Sequence, residues 1–142
     1  MIKYVEKDRI FILETEKTSY VLELIGDRYL VNLHYGKKGK RVKKREPVWL
    51  GYGAYSEEYG NKCCPDELSN DISFYGSGSY RRTALRIRGK DGTGVTDFRY
   101  VSHRIRRGRG VIDGLPSARI EEGSETLEIL MADTVSKLDL HL

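Results

Sequence analysis

The chain has 142 residues, 39% hydrophobic and 32% charged, with a formal net charge of +4. That length fits one domain able to bury a core without disulfide or metal staples. There is no run of about 18 apolar residues, which excludes a membrane-spanning helix, and the N-terminal Met1-Ile2-Lys3-Tyr4-Val5-Glu6 lacks an apolar signal segment, so a cytoplasmic address is expected.

The charge is unevenly placed. Lys37, Lys38, Lys40, Arg41, Lys43, Lys44 and Arg45 hold seven of the 25 basic residues, leaving 18 basic against 21 acidic elsewhere. One cationic loop on a mildly acidic body argues against a domain-wide nucleic-acid footprint. The only cysteines, Cys63 and Cys64, are adjacent. A vicinal disulfide would be strained, so two free thiols are expected, and no second pair exists to complete a zinc site.

In chain order, strand signals dominate. Ile10-Phe11-Ile12-Leu13 is a short apolar run. In Ser19–Ile25, Tyr20, Leu22 and Leu24 fall on one face and Val21 and Ile25 on the other; Gly26-Asp27 reads as a turn, and Tyr29–Tyr35 returns, predicting a β-hairpin from about Tyr20 to Tyr35. The basic loop follows, then the patch Val48-Trp49-Leu50 and a Gly- and Tyr-rich excursion from Gly51 to Asp71. Long excursions of this kind are functional or disordered.

Phe74 to Ile87 is the stretch around which the chain is organised. Gly76 and Gly78 break one apolar run, Ala84, Leu85 and Ile87 begin a strand-like one, and Tyr80 and Arg81 are left at its mouth, where ligand-contacting groups are often presented. Gly89–Gly94 is a turn cluster. Strands are expected over Phe98–Ile105 and Thr126–Met131, with a turn over Arg106–Gly110. The last stretch alternates as well: Leu138, Leu140 and Leu142 against Lys137, Asp139 and His141. No helical apolar stripe occurs. About nine short strands at regular spacing predict an all-β, mostly antiparallel β-sandwich. The chain stops inside an alternating pattern, which predicts either a strand paired at a sheet edge or the front part of something longer, with exposed edges and self-association in the second case.

Several of these stretches, taken in order, resemble the N-terminal β-domain of bacterial α-galactosidases of glycoside hydrolase family 36. Phe11-Ile12-Leu13-Glu14-Thr15 with Ser19-Tyr20 is similar to its opening, Leu33-His34-Tyr35-Gly36 to the end of its first hairpin, and Tyr75-Gly76-Ser77-Gly78-Ser79-Tyr80-Arg81 to its Gly-rich motif. Asp97-Phe98-Arg99-Tyr100, His103-Arg104-Ile105, Gly108, Gly114-Leu115-Pro116, Glu125-Thr126-Leu127-Glu128-Ile129 and Asp133 continue the pattern. The departure is Ser79, which stands where the family carries Asp and puts one sugar contact in doubt.

The resemblance implies a supersandwich-like fold over 1–142, as the N-terminal domain, or its first part, of a longer enzyme. It implies a parent that hydrolyses terminal α-galactosides such as melibiose or raffinose with retention, using two carboxylates on a following (β/α)₈ barrel. This chain's share would be to support that barrel, form subunit contacts in a homo-oligomer and shape the substrate entrance. No residue here is assigned a catalytic role, and pairs such as Glu57-Glu58 or Asp66-Glu67 read as solvated loop charges. Arg81 could offer forked donors to sugar hydroxyls, and Tyr80, Trp49 and Tyr52 could lie against a pyranose ring. No cofactor, metal, nucleic acid or membrane is expected, and His34 and His103 read as ordinary strand residues. Two other readings stay open: a free-standing carbohydrate-binding module, suggested by ten Tyr and one Trp, and a nucleic-acid-binding β-barrel using the cationic loop.

Overall fold

The alternating apolar residues of the first 37 positions become a four-stranded antiparallel meander, β1 (Ile2–Val5), β2 (Ile10–Glu14), β3 (Thr18–Ile25) and β4 (Tyr29–Lys37), in sheet order β1-β2-β3-β4. The computed structural model describes residues 1–39, 68–76, 82–111, 113–116 and 122–142. A second antiparallel meander, β5 (Arg99–Arg107), β6 (Glu125–Asp133) and β7 (Leu138–His141), forms a separate three-stranded sheet in the order β5-β6-β7. There is no helix among the described residues, and the sheets do not close into a barrel. The fold is all-β, antiparallel and sandwich-like.

The core lies where the two inner faces meet. Phe11, Leu22, Leu24 and Leu30 from the first sheet pack with Ile129 and Met131 from the second, and Phe74 and Phe98 enter from the connecting chain. The pleat explains the selection. Phe11 lies opposite Leu22 and Leu24 opposite Leu30, so residues two apart share the inner face, while His103 opposite Ile129 and Tyr100 opposite Met131 do the same on the second sheet.

The predicted hairpin is present with its turn at Gly26-Asp27, both at positive φ (59° and 55°). A register shift between Val21 and Leu22, which puts His34 opposite Val21 but Asn32 opposite Leu22, bulges Leu33 out of the ladder. The opposite face of this sheet is also buried. Ile10, Val21, Glu23, Tyr29 and Val31 are all inaccessible there, and Leu68 packs on Tyr29 and Val31. A plain two-layer sandwich would leave that face wet, so β3 is more enclosed than its alternation suggested.

The free side of β4 is covered by the chain at 69–71. Asn32 N–H donates to Ser69 C=O (2.8 Å) and Asp71 N–H to Leu30 C=O (3.0 Å), with an antiparallel bridge between Val31 and Asn70. The Tyr20 hydroxyl donates to Asp71 across the same seam; burial, reinforced by that carboxylate, pushes the phenol up to about 12.

Three sequence expectations need correction. Ile2–Val5 is a strand, paired with β2 and anchored by Ile2 N–H on Glu125 Oε2 (2.5 Å), although only four residues long and without clean alternation. The β5 strand runs through Arg106 and Arg107 before turning at Gly108 (φ 86°), because Arg106 and Arg107 still pair with Thr126 and Glu125. Ala84–Ile87 is not a ladder strand: a single parallel bridge between Phe74 and Leu85 ties it to the sandwich, and Leu85 and Ile87 cap the core instead of extending a sheet.

A polar clamp closes one end of the sandwich. Arg28, in the β3–β4 turn, reaches Asp97 (2.6 Å), which leads into β5 and also receives Arg99 (3.1 Å). The Asp97 N–H in turn donates to the carboxylate of Asp133 at the end of β6. Asp133 is 1% exposed and also accepts Val135 N–H (2.9 Å) and Ser136 Oγ–H (2.7 Å). Burial alone would raise its pKa, but these donors outweigh it and hold the carboxyl below the ordinary 3.8. A carboxylate with a depressed folded pKa stabilises fully above its unfolded value and loses that contribution as pH falls through the folded one. Asp133→Asn should therefore cost about 1.5–3 kcal/mol at neutral pH by leaving donors unmatched. Urea titrations should show this gap to wild type closing below the ordinary carboxylate range; a constant gap at every pH would refute the assignment.

Candidate functional site

The stretch from Phe74 to Ile87 leaves and rejoins the sandwich at one place. Phe74 is buried against Phe98 (ring centroids 5.0 Å apart) and bridges Leu85. Ser73 Oγ–H donates to Arg82 C=O (2.9 Å), and Ala84 N–H donates back to Ser73 C=O (3.1 Å). Tyr75 C=O accepts Thr96 N–H (2.8 Å). Gly76 sits at φ 99° with Val95 against the space a side chain would need: a Cβ there would lie 3.0 Å from Val95 Cβ and 3.2 Å from Val95 Cα. Only glycine combines that angle with that approach. Gly76 and Arg82, the residues flanking 77–81, are thus both fixed to the same side of the domain.

Arg81, Tyr80 and Trp49 lie outside the described residues, as do Tyr52, Ser79, Cys63, Cys64 and the basic residues from Lys40 to Arg45. What the structure does place beside this stretch is an open cleft of about 420 Å³ lined by Tyr75, Arg86, Ile87, Arg88, Gly92 and Gly94. Its far wall is the predicted turn cluster. Gly89 N–H donates to Thr93 C=O (2.7 Å), and Asp91 accepts the Thr93 N–H (3.0 Å) and hydroxyl (2.5 Å). The Thr93 hydroxyl, helped by backbone donors, holds the Asp91 carboxyl below its ordinary range. The sequence reading passed over Tyr75, Arg86 and Arg88. The signal was present in the alternation Arg86-Ile87-Arg88, which aims every second side chain outward.

The residues examined for chemistry have structural partners. His103 packs between Tyr4 (4.3 Å) and Phe11 (4.8 Å), and the geometry fits the Tyr100 hydroxyl donating to its Nδ1 (2.7 Å). Burial, with Arg9 nearby, lowers the His103 pKa below 6.5. His34 meets the Lys37 carbonyl through Nε2 (3.2 Å). Glu128 lies between Arg104 (2.7 Å) and Arg106 on the outer face of the second sheet. Among the described residues, no three His, Cys, Asp or Glu side chains gather as a metal site.

With this geometry in hand, comparison with known proteins is informative. α-Galactosidase AgaA of Geobacillus stearothermophilus is 30% identical over 146 residues, covering 99% of this chain and 20% of AgaA. Structures of AgaA variants in complex with raffinose and with stachyose cover 94% of this chain at 29% identity, with TM-scores of 0.82. The crystal structure of the α-galactosidase AgaB from the same organism covers 100% of this chain and 20% of its own, with TM-score 0.88 and 28% identity. The bifunctional α-galactosidase/sucrose kinase AgaSK of Mediterraneibacter gnavus is 30% identical over 146 residues, 99% of this chain and 16% of AgaSK. The structure of its galactosidase domain matches 100% of this chain and 20% of its own, with TM-score 0.89 and 29% identity. The chain spans about a fifth of the length of these relatives. The family profile described as the glycosyl hydrolase family 36 N-terminal domain matches residues 28–142, and the chain belongs to that family.

Proposed function

We propose that this chain is the non-catalytic N-terminal β-sandwich of an α-galactosidase that acts on raffinose- or melibiose-type sugars. It supports a catalytic barrel, takes part in subunit contacts and shapes the substrate entrance. The observation that carries the reading is the family match, with two α-galactosidase structures superposing on the whole chain at TM-scores of 0.88 and 0.89. In this reading Arg81, Tyr80 and Trp49 contact the α-galactoside, and the fixed flanks at Gly76 and Arg82 make that presentation reproducible.

The purified chain should not release p-nitrophenol from p-nitrophenyl-α-galactoside. A chimera in which it replaces the corresponding N-terminal fifth of AgaA should do so. In the chimera, Arg81→Ala should raise KM for raffinose by about tenfold, the order expected for losing one charge-assisted hydrogen bond. Turnover by the chain alone, or an Arg81→Ala chimera with unchanged KM, would contradict the respective part.

A further inference from the structure

We propose that the cleft between Tyr75 and the Arg86–Gly94 segment is a binding site for the phosphate monoester of a small sugar. From Arg82 to Arg88 burial alternates: Thr83, Leu85 and Ile87 are half-buried, whereas Arg82, Ala84, Arg86 and Arg88 are exposed. An extended chain advances about 6.6 Å every two residues, so Arg86 and Arg88 present neighbouring guanidinium groups on one side.

These arginines differ from the others described on the sandwich. Arg28 and Arg99 are matched by Asp97, and Arg104 and Arg106 by Glu128. Among the described residues no carboxylate pairs with Arg82, Arg86 or Arg88. Asp91, the nearest acid along the chain, has both oxygens engaged by Thr93. Two unmatched guanidinium forks in one cleft suit an oxyanion with several acceptor oxygens.

The rest of the lining argues for more than a bare ion. At about 420 Å³ the cleft is larger than inorganic phosphate needs and falls in the range of small-molecule sites, roughly 300–1,000 Å³. Tyr75 is 61% exposed, although its backbone is tied to Thr96, so its ring offers a flat face to the C–H side of a pyranose. Gly92, at φ 84°, has nothing within 4 Å of where a Cβ would stand, leaving room opposite the arginines. Phosphate on the forks and sugar on the tyrosine account for all of these features together.

The test is calorimetric titration of the protein at low ionic strength with galactose 6-phosphate, inorganic phosphate, neutral raffinose and poly-glutamate. The sugar phosphate should bind saturably and at least about tenfold more tightly than inorganic phosphate. Arg86→Gln and Arg88→Gln should each weaken it about tenfold, while Arg107→Gln, an exposed arginine on β5, should leave it unchanged. All three positions are exposed, so thermal melts should match wild type. Absence of saturable heat, equal affinity for inorganic phosphate, indifference to both cleft substitutions, or tighter binding of poly-glutamate would each overturn the proposal. Raffinose separates this site from the galactoside reading, because a neutral sugar should gain nothing from Arg86 or Arg88.

Discussion

Phe11→Ala should lower unfolding free energy by about 3–5 kcal/mol, the cost of emptying an aromatic site that the surroundings fill only in part. Phe11 is 0% exposed and sits where both sheets meet. Its ring stacks on Tyr4 of β1 (4.6 Å) and meets His103 of β5 edge-on (4.8 Å). The loss should therefore loosen the docking of one sheet on the other as well as leave a hole. Urea denaturation should show a lower midpoint with the slope preserved. The milder Phe11→Leu, costing about 1–1.5 kcal/mol, keeps the fold and reports on the neighbour. With the ring gone, His103 is less desolvated, so its NMR titration should move up toward 6.5. The sign matters for stability too: a histidine depressed by burial contributes fully above its unfolded pKa and loses that contribution as pH falls through the folded value. Phe11→Leu should flatten this acid-side loss. An unshifted His103 titration would show that Phe11 does not shield it.

Gly76→Ala should cost about 2–4 kcal/mol, the sum of a left-handed backbone at a non-glycine residue and a clash with fixed neighbours. The clash cannot be relieved by rotating Val95 alone, because Val95 Cβ and Cα themselves stand 3.0 and 3.2 Å from the new methyl group. The first response should be movement between Tyr75 and Thr96, whose hydrogen bond (2.8 Å) holds this flank. Val95→Gly in the same chain removes the steric part but leaves the backbone part, so the double variant should recover about half the loss. Amide exchange at Thr96 should speed up in the single variant and slow again in the double. Full recovery would show that φ at Gly76 is unimportant, and no recovery that Val95 is not the obstacle.

Much of the fold was legible because most of the chain pairs with its immediate neighbour. The Tyr20–Tyr35 hairpin, Phe98–Ile105 and Thr126–Met131 were readable from alternation and turn residues. The positions that carry the family resemblance turn out to have definite structural duties. Asp97 and Asp133 join the clamp at one end, Phe98 and Ile129 enter the core, His103 fills the gap between Tyr4 and Phe11, and Thr126 accepts Gly110 N–H and donates to Gly108 C=O (2.8 Å each). What stayed hidden had non-local causes. Ile2–Val5 is a strand because β2 and Glu125 hold it, and neither is visible in four residues of sequence. The cleft stayed hidden because Tyr75, Arg86 and Gly92 come together only after Phe74 and Leu85 meet.

Each sheet is a meander in which every strand pairs only with the next, and no strand is shared between them. Each half can therefore zip up from its own short hairpins, which is kinetically quick, whereas bringing the halves together must close the long stretch between Lys37 and Arg99. The slow step of folding is then the late docking of two preformed ribbons. It should be the aromatic seam between them, more than either ribbon's own ladder, that sets how fast the domain is made.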